Sequence, residues 1–383
     1  MIYFDHNATT PLDERVREAM EPYLSRLYGN ASNLYRLGRV CRGAVEAARE
    51  QVAALVGAEP AEVTFTSGGT ESNNLAIKGL AFSMRPGTVA VGATEHPAVS
   101  APAAFLRTMG WRVETLSAGA DGDIGAEQLD RFRPGELSFA SVMWANNETG
   151  AISDIPKIAG TVRERGGLLH TDAVQAAGKV PVDFHRSGVH LMSLSAHKIF
   201  GPKGAGALIC DPAVSLVPLL HGGGQERGLR GGTENVPAIV GFGKAAELAR
   251  NALDERSRHF RQLRERLEQG LAAMPGITLF AEHGARLPNT VQFALRGYDG
   301  EMLVMTLDRA GFAVSSGSAC GSGVDEPSPV LLAMGVEPAV AKAAVRVSLG
   351  PANSAHEVDQ FLAALQQFAA QTGAEHWPRA ASV

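Results

Sequence analysis

The sequence is poor in cysteine. Its 383 residues include three cysteines, Cys41, Cys210 and Cys320, which are widely separated and form no CxxC pair. Disulfide scaffolds and structural zinc sites need cysteines that are more numerous or more closely spaced. The spacing therefore excludes both, and we expect no metal in the functional site.

Long apolar runs and dense blocks of Lys and Arg are also lacking. No apolar run approaches the roughly 20 residues that span a bilayer, and Met1–Asn7 lacks the basic and apolar regions of a secretory leader. The net charge of -5, from 35 basic and 40 acidic residues, offers no footprint for nucleic acid or an anionic membrane. We therefore expect a cytoplasmic enzyme that acts on a small molecule and binds neither nucleic acid nor membrane.

The composition that is present fits a globular α/β protein. Hydrophobic residues make up 45% and charged residues 20% of the chain, and 43 glycines indicate many tight turns. From about residue 40 to 245, helix-period segments alternate with short β-branched runs, which is typical of a mostly parallel sheet. The predicted strands are Val63–Thr66, Val89–Val91, Val113–Leu116, Leu137–Met143, Leu168–Thr171, Leu191–Leu194 and Gly206–Ile209.

Two helical patterns lie at the start and at the end of this region. An apolar stripe that ends before Gly57 predicts a helix, and a polar-faced stretch, Lys244–Met274, predicts one long helix that connects to a second part of the chain. The residues of the stripe are Val40, Ala44, Ala48, Val52 and Leu55.

The second part is smaller and predicts an α+β domain. Short strands at Thr290–Ala294, Ala313–Val314 and Val345–Ser348 alternate with helices at Glu301–Arg309 and Ala355–Thr372. We expect the first dozen residues to fold back onto it. This divides the chain into a large α/β domain, residues 15–250, and a small α+β domain, residues 1–14 and 251–383.

A lysine lies at the end of a predicted buried strand. His197 and Lys198 follow the apolar run Leu191–Ser195 and precede a glycine-rich turn at Gly201–Gly204. An amine in such a place loses its proton readily and can attack a carbonyl, which indicates a Schiff base. The alternative is a lysine that reaches solvent from a strand end, and Lys203 is a second candidate close by.

An acid and an amide follow a second apolar strand. Asp172 and Gln175 come directly after Leu168–Thr171. A Schiff-base lysine with an acid partner for a pyridinium nitrogen is typical of pyridoxal phosphate sites. Asp172 also fits the N-cap of a following helix, and its position by itself favours neither role.

A phosphate site is indicated where the strand Val63–Thr66 runs into a helix-compatible segment. Gly69 and Thr70 then lie at a helix N-terminus, where bare N–H groups and a hydroxyl bind an anion. Ser195 and His197 can add donors from the other side. Taken alone, such a start is more often a purely structural helix cap.

Further polar residues follow strand ends or occupy glycine-rich turns. His96 follows the second predicted strand and Asn147 the fourth, which places both at the edge where open α/β sheets bind ligands. An imidazole there can lie over a cofactor ring. The alternatives are a histidine in a turn before a helix that starts at Pro97, and a plain turn at Asn146–Gly150. Thr233 lies on another glycine-rich turn and can contact a phosphate.

A cysteine and an arginine complete the candidate residues. Cys320 lies between Gly317 and Gly323 among small, turn-forming residues, which favours a mobile thiol over a packed one. Arg346, on the predicted strand Val345–Ser348, can grip an amino-acid carboxylate with two parallel hydrogen bonds. The alternative for Arg346 is a surface ion pair on an edge strand.

Eight motifs occur in order along essentially the whole chain. They are DHNATTP at 5–11, TSGGTES at 66–72, EHPAV at 95–99, WANNETG at 144–150, HTDAVQ at 170–175, SAHKIFGPKG at 195–204, RGGTEN at 230–235 and SSGSAC at 315–320. In this order they closely resemble the cysteine desulfurases of the nitrogen-fixation and iron–sulfur-cluster type, in the class V aminotransferase group.

The resemblance implies fold type I of the pyridoxal-phosphate-dependent transferases and a homodimer with its two active sites at the subunit interface. It implies that Lys198 forms the Schiff base, that Asp172 pairs with the ring nitrogen and that Gln175 contacts the ring hydroxyl. By the same resemblance, His96 stacks on the ring. The implied cofactor-binding residues are Gly69, Thr70, His96, Asn147, Asp172, Gln175, Ser195, His197, Lys198 and, from the partner subunit, Thr233.

The implied reaction converts L-cysteine to L-alanine, with His96, Lys198 and Cys320 as catalytic residues. Asn147 and Arg346 bind the substrate carboxylate, and the Cys320 thiolate takes the substrate sulfur as a persulfide. A protein then accepts this sulfur, for iron–sulfur cluster assembly or for the synthesis of a thio-cofactor.

The chain departs from the family pattern in two places. It has Asn30-Ala-Ser-Asn33 and Tyr35 where the family usually has Asn-Pro-Ser-Ser and a histidine near the substrate entrance, and its tail ends soon after Trp377. These departures leave open the choice between cysteine and selenocysteine, and the identity of the sulfur acceptor. A selenocysteine lyase or a pathway-dedicated desulfurase is therefore the alternative on the same scaffold. A non-catalytic sulfur carrier is the second alternative, and the intact lysine, acid and arginine argue against it.

Overall fold

The computed structural model describes residues 1–317 and 326–371 of the chain. The strands are β1 (Ile2–Tyr3), β2 (Val63–Thr66), β3 (Thr88–Gly92), β4 (Arg112–Leu116), β5 (Leu137–Ser141), β6 (Leu168–Asp172), β7 (Leu191–Ser195), β8 (Gly206–Cys210), β9 (Ile277–Leu279), β10 (Thr290–Leu295), β11 (Phe312–Ala313), β12 (Ser315–Ser316) and β13 (Ala344–Ser348). The α-helices are α1 (Glu14–Ser25), α2 (Arg36–Leu55), α3 (Gly69–Ser83), α4 (Pro97–Leu106), α5 (Ile155–Glu164), α6 (Phe184–Ser187), α7 (Val236–Asn251), α8 (Leu253–Ala272), α9 (Gly300–Arg309), α10 (Pro329–Ala333), α11 (Pro338–Lys342) and α12 (Ala355–Gln371).

The larger sheet has seven strands in the order β2-β8-β7-β6-β5-β3-β4. Neighbours from β7 to β4 are parallel, whereas β8 is antiparallel to both β2 and β7. Each predicted strand of this region is present, and no end differs by more than two residues. The prediction of a mostly parallel seven-stranded sheet is confirmed. Because β3, β5, β6 and β7 are parallel, their carboxyl ends meet at one edge.

Two helical predictions need correction. In α2 the buried face contains Cys41 and Val45, whereas Val40 is 40% exposed, so the first half of the predicted stripe was wrong by one position. The cysteine fits the same 3.6-residue period as the later apolar positions. The single helix predicted over Lys244–Met274 is also wrong, because α7 ends at Asn251 and α8 starts at Leu253. Acids in the first turn of α8 favour a new helix start there.

The smaller sheet is antiparallel and has the order β12-β13-β10-β9. The start of the chain folds onto it, as predicted: β1 pairs with β11, and Asp5 forms a bridge with Ser348. The rings of Phe4, Phe293 and Phe361 pack edge to face in its core. Val314 lies between β11 and β12 rather than within a strand. The smaller α+β part of the predicted fold is thus confirmed.

Cys41 and Cys210 are buried free cysteines. Burial raises the pKa of the Cys210 thiol to about 12, which makes it a poor nucleophile. Cys320 lies outside the described residues. Within residues 1–317 and 326–371, no helix combines the length and apolar composition needed to cross a membrane.

Candidate active site

A cavity of about 330 Å³ lies at the carboxyl ends of the parallel strands. It brings together ten of the twelve predicted site residues, from both sheets. These ten are Gly69, Thr70, His96, Asn147, Asp172, Gln175, Ser195, His197, Lys198 and Arg346. Thr233 is exposed and does not line this cavity in the described part of the chain. Cys320 lies outside the described residues.

Lys198 reaches the cavity from a tight turn after β7. This 3₁₀ turn spans Ala196–Lys198, and the Lys198 Nζ donates to the backbone carbonyl of Ala8 at 2.7 Å and also to that of Asn7. Phe200 follows with φ 69°, a left-handed conformation that reverses the chain. Lys203 is exposed and does not line the cavity, so the geometry favours Lys198 among the two candidate lysines.

Asp172 is the last residue of β6, and both of its carboxylate oxygens have partners. Oδ1 accepts a hydrogen bond from the Val174 N–H at 2.9 Å, and Oδ2 accepts one from Asn73 Nδ2 at 2.6 Å. The residues that follow form turns, and the next α-helix starts at Phe184, so Asp172 is not a helix N-cap. Its orientation is therefore fixed for contact with a group in the cavity.

His96 both caps a helix and lines the cavity. It is the N-cap of α4, with Nδ1 accepting from the Ala98 N–H at 3.0 Å, and it also lines the cavity. Because Nδ1 accepts, the ring proton of a neutral imidazole lies on Nε2. Burial lowers the pKa of His96, which favours the neutral ring. A neutral, flat ring at this wall suits stacking on an aromatic cofactor.

Glu95, beside His96, is a buried acid that sequence reasoning did not select. One of its oxygens accepts a hydrogen bond from the Met143 N–H. Burial, followed by the negative charge of Asp172, raises the pKa of Glu95 well above its usual range. The surroundings of Glu95 therefore disfavour its charged form.

Several features at one end of the cavity fit a phosphate ester. The helix α3 starts at Gly69, so its unpaired N–H groups face this end. The buried Ser195 Oγ has no hydrogen-bond partner within the described part of the chain. His197 Nδ1 lies 3.2 Å from Thr9 Oγ1. Burial, and then the neighbouring lysines, lower the pKa of His197 to about 4, so it acts as a neutral donor.

The part of the cavity wall around Arg346 fits a carboxylate. Arg346 lies on β13, an inner strand, and is buried, so the alternative of a surface pair on an edge strand is wrong. Its Nη1 donates to the Asn147 backbone carbonyl at 2.8 Å, and its Nη2 pairs with Asp5 Oδ1 at 2.7 Å. Its Nε is buried without a partner among the described residues, which leaves a donor for an incoming anion.

Asn7 is the main residue that sequence reasoning missed. Its Nδ2 donates to Thr290 Oγ1 at 2.9 Å and to the Asn147 carbonyl at 3.2 Å, and its own carbonyl accepts from Gln175 Nε2 at 2.9 Å. It thereby joins three distant segments at the cavity wall. The signal was present as three polar residues directly after the short apolar start, Ile2–Phe4, but nothing in the sequence linked that start to the sheet edge.

Comparison with known proteins agrees with this geometry. The class V aminotransferase family profile matches residues 2–361. A cysteine desulfurase of Gluconacetobacter diazotrophicus is 45% identical over 367 residues, which cover 94% of this chain and 91% of that protein.

Solved structures agree as well. A NifS-like protein superposes with a TM-score of 0.90 at 36% identity, covering 96% of this chain and 99% of that one. A structure described as SspA in complex with cysteine has a TM-score of 0.81 at 34% identity, covering 92% and 100%. The chain therefore belongs to the class V aminotransferase family and, within it, to the cysteine desulfurases.

Proposed function

We propose that this protein is a pyridoxal-phosphate-dependent cysteine desulfurase that converts L-cysteine to L-alanine and retains the sulfur on Cys320 as a persulfide. The observation that carries the proposal is a single cavity that joins the Lys198 amine, the Asp172 carboxylate and the buried guanidinium of Arg346. The chemistry of pyridoxal phosphate needs an amine and an acid, and an amino-acid substrate needs a carboxylate clamp.

The residues present fit pyridoxal phosphate. The start of α3, the Ser195 hydroxyl and the side chains of Thr70 and His197 would hold the phosphate, and His96 would cover the ring. When bound, pyridoxal phosphate supplies a carbonyl that reacts with amines and a ring that withdraws electrons from the substrate Cα. Asp172 would hold a proton on the ring nitrogen, and Asn73 keeps the Asp172 carboxylate in place through its 2.6 Å hydrogen bond.

Lys198 has two roles in this proposal. Its amine anchors the cofactor before substrate arrives and afterwards takes the proton from the substrate Cα. The carbonyls of Asn7 and Ala8 hold Nζ at the cavity wall, so that the released amine stays close to the reacting carbon.

Arg346 and the Asn147 side chain would bind the substrate carboxylate and thereby place the substrate thiol. A relative of known structure was described in complex with cysteine, which supports an amino thiol as substrate here. The Cys320 thiolate then attacks the substrate sulfur: an S–S bond forms, the C–S bond breaks, and its electron pair stays with carbon, which gains a proton to give alanine. The persulfide passes to a protein acceptor, in iron–sulfur cluster assembly or thio-cofactor synthesis.

A homodimer is part of the proposal. The end of α1 and the segment between α1 and α2 expose several large apolar side chains, and Thr233 is exposed and does not line the cavity of its own chain. The exposed fractions are 62% for Leu24, 77% for Tyr28, 77% for Leu34 and 51% for Tyr35. Such surface suits a second copy, which would bring the partner subunit's Thr233 to the phosphate. Sedimentation at several protein concentrations tests this assembly.

The division into two domains and the cytoplasmic location also remain proposals. One apolar core gathers residues from Val16 to Ala249 together with Leu287, and another gathers Phe4 with residues from Leu263 to Leu365. Apart from Leu287, this division supports a boundary near residue 250. The buried free thiols of Cys41 and Cys210 are compatible with a reducing compartment.

The proposed function is tested by incubating the purified, cofactor-loaded protein separately with cysteine and selenocysteine. We expect alanine from cysteine and extra sulfur mass on Cys320. Cys320→Ala should keep the coloured cofactor complex but stop sulfur release from cysteine. Alanine formed from selenocysteine alone would favour the lyase, and undiminished sulfur release by Cys320→Ala would contradict the persulfide route.

Borohydride reduction tests the anchor. The cofactor mass should be fixed on Lys198, and Lys203→Ala serves as the matched control because Lys203 is exposed beside the same turn. Label on Lys203, or a chain that takes up no cofactor, would reverse the assignment.

A further inference from the structure

Lys179 is a buried lysine behind the wall of the cavity, in a place that the proposed reaction does not use. It is 5% exposed. Its Nζ donates to Gln175 Oε1 at 2.6 Å and to Asn7 Oδ1 at 2.8 Å. Within residues 1–317 and 326–371 no carboxylate forms an ion pair with it. Burying a lysine whose only partners are amides costs folding free energy, so the role of its hydrogen bonds needs an explanation.

The amide orientation of Gln175 follows from its neighbours. Its Nε2 lies 2.9 Å from the Asn7 backbone carbonyl, which can only accept, so the amide nitrogen must face Asn7. The amide oxygen then faces Lys179. One N–H of Nε2 is used by Asn7, and the second N–H is left for the cavity that Gln175 lines.

Asn7 is oriented in the same manner. Its Nδ2 faces the carbonyl of Asn147 and its Oδ1 faces Lys179, so the lysine ties both amides together. The Asn7 carbonyl also accepts from the Nζ of Lys198. Asn7 Oδ1 has a second donor, Asn289 Nδ2 at 3.2 Å, whereas Lys179 is the donor described for Gln175 Oε1. Loss of Lys179 therefore affects Gln175 most.

The charges around Lys179 do not explain its position. Burial, followed by the positive charges of Lys198 and Arg346, lowers the pKa of Lys179 well below its usual range. Because these surroundings disfavour the charged amine, the hydrogen bonds of Lys179 explain its position better than charge pairing does.

We propose that Lys179 is a positioning residue: by holding Gln175 Oε1, it fixes the Gln175 amide so that one N–H points at the ring oxygen of pyridoxal phosphate. This inference rests on the proposed function. A hydrogen bond to that oxygen changes the pH at which the bound cofactor loses a proton. The visible absorbance of the cofactor changes with this loss and therefore reports it. Lys179 thus acts on the cofactor through Gln175 and without touching it.

The test compares Lys179→Met, Gln175→Leu and the double variant, all loaded with pyridoxal phosphate and without substrate. Absorbance is titrated with pH, and cofactor affinity is measured by equilibrium dialysis. We expect each single variant to shift the absorbance midpoint in the same direction and to weaken cofactor binding about tenfold, since one hydrogen bond is lost in either case. The double variant should equal Gln175→Leu, because residues that act through one contact are not additive.

Additive shifts in the double variant would overturn the inference in favour of a direct charge effect, and an unshifted Lys179→Met would overturn it outright. Lys179→Arg keeps N–H donors and guards against a folding defect of Lys179→Met; it should retain a midpoint close to that of the unchanged chain, and a shift equal to that of Gln175→Leu would also overturn the inference. Lys203→Met is the matched control with no expected shift. Failure of the unchanged chain to bind pyridoxal phosphate would instead sink the proposed function.

Discussion

Arg346 Nη2 and Asp5 Oδ1 form an ion pair at 2.7 Å that joins residues 341 positions apart, and Arg346 lines the cavity. The arginine side chain is 3% exposed and the aspartate side chain 18% exposed. The guanidinium proposed to bind the substrate carboxylate therefore already has one negative partner. Asp5 fixes the guanidinium plane and partly offsets its charge.

Replacing Asp5 should leave the Arg346 guanidinium without its negative partner. Asp5→Asn keeps an oxygen acceptor but removes the negative charge, so we expect the free energy of unfolding to fall by about 2 kcal/mol without ligand. L-Alanine, the proposed product, should then stabilise the variant more than the unchanged chain, because its carboxylate replaces the lost partner. Denaturant unfolding with and without L-alanine measures both effects.

The matched control is Asp359→Asn. Asp359 pairs with Arg266 on the surface, where the side chains are 45% and 51% exposed. The loss there should stay below about 1 kcal/mol and should not respond to L-alanine. Equal losses for the two variants would show that the Asp5 pair has no special place in the site.

Ser195 gives a second prediction, because its buried hydroxyl has no partner among the described residues. Ser195→Ala should leave the stability of the cofactor-free protein unchanged or slightly raised, since an unsatisfied buried group is removed. It should weaken pyridoxal phosphate binding by roughly tenfold to a hundredfold, the usual effect of one hydrogen bond to a charged group. Thermal unfolding and cofactor titration separate the two effects.

Ser193, on the same strand, is the control. Its Oγ lies 3.0 Å from His170 Nε2 and is fully buried, so its hydrogen bond is satisfied within the protein. Ser193→Ala should therefore cost about 1–3 kcal/mol of stability and leave cofactor affinity unchanged. The reverse pattern in the two serine variants would remove Ser195 from the phosphate site.

Local sequence signals predicted where the strands end and which functional residues follow those ends. Lys198, Asp172 and His96 each lie shortly after a short apolar run, and parallel strands bring such positions to one edge whatever the intervening length. The same logic cannot place a residue whose position depends on a contact between remote segments. Asn7 meets Gln175 168 positions away, and Asp5 meets Arg346 341 positions away.

The prediction of the fold likewise succeeded where local signals were enough and failed where contacts between remote segments decide the structure. The alternation of helical and apolar segments along the chain predicted the large sheet. The break between α7 and α8 at Ala252 and the burial of Cys41, in contrast, depend on packing against other helices. The sequence does not predict the burial of Lys179, because a lone lysine in a stretch of small residues carries no local signal of burial. Tertiary packing, rather than periodicity, decides such positions.

Gly69 gives a third prediction. A Cβ at this position would lie 2.9 Å from Val174 Cγ2, which is closer than such contacts allow. Gly69→Ala should push the start of α3 away from the cavity and weaken pyridoxal phosphate binding several-fold. Gly69→Ala with Val174→Ala should regain most of the affinity, because the second change removes the obstructing methyl group. Affinity that stays low in the double variant would mean that the glycine serves another purpose.

Glu148 gives the last prediction, which concerns pH. It is buried beside Asn147, its Oε2 accepts a hydrogen bond from Ser328 Oγ, and burial raises its pKa to about 7. The unfolded chain releases this proton near pH 4.5, whereas the folded chain holds it until about pH 7. Its contribution to stability is therefore complete below pH 4.5 and is lost as the pH rises through 7.

Glu148→Gln removes this proton exchange while keeping an oxygen that can accept from Ser328. The stability of the variant relative to the unchanged chain should rise between pH 4.5 and pH 8, by on the order of 3 kcal/mol, because each unit of pKa shift is about 1.4 kcal/mol. Urea unfolding at four or five pH values measures the difference, with the exposed Glu301→Gln as the control that should stay flat. A difference that falls with rising pH would mean that Glu148 is held as a carboxylate, and the charge of Arg346 would then outweigh burial in setting its protonation.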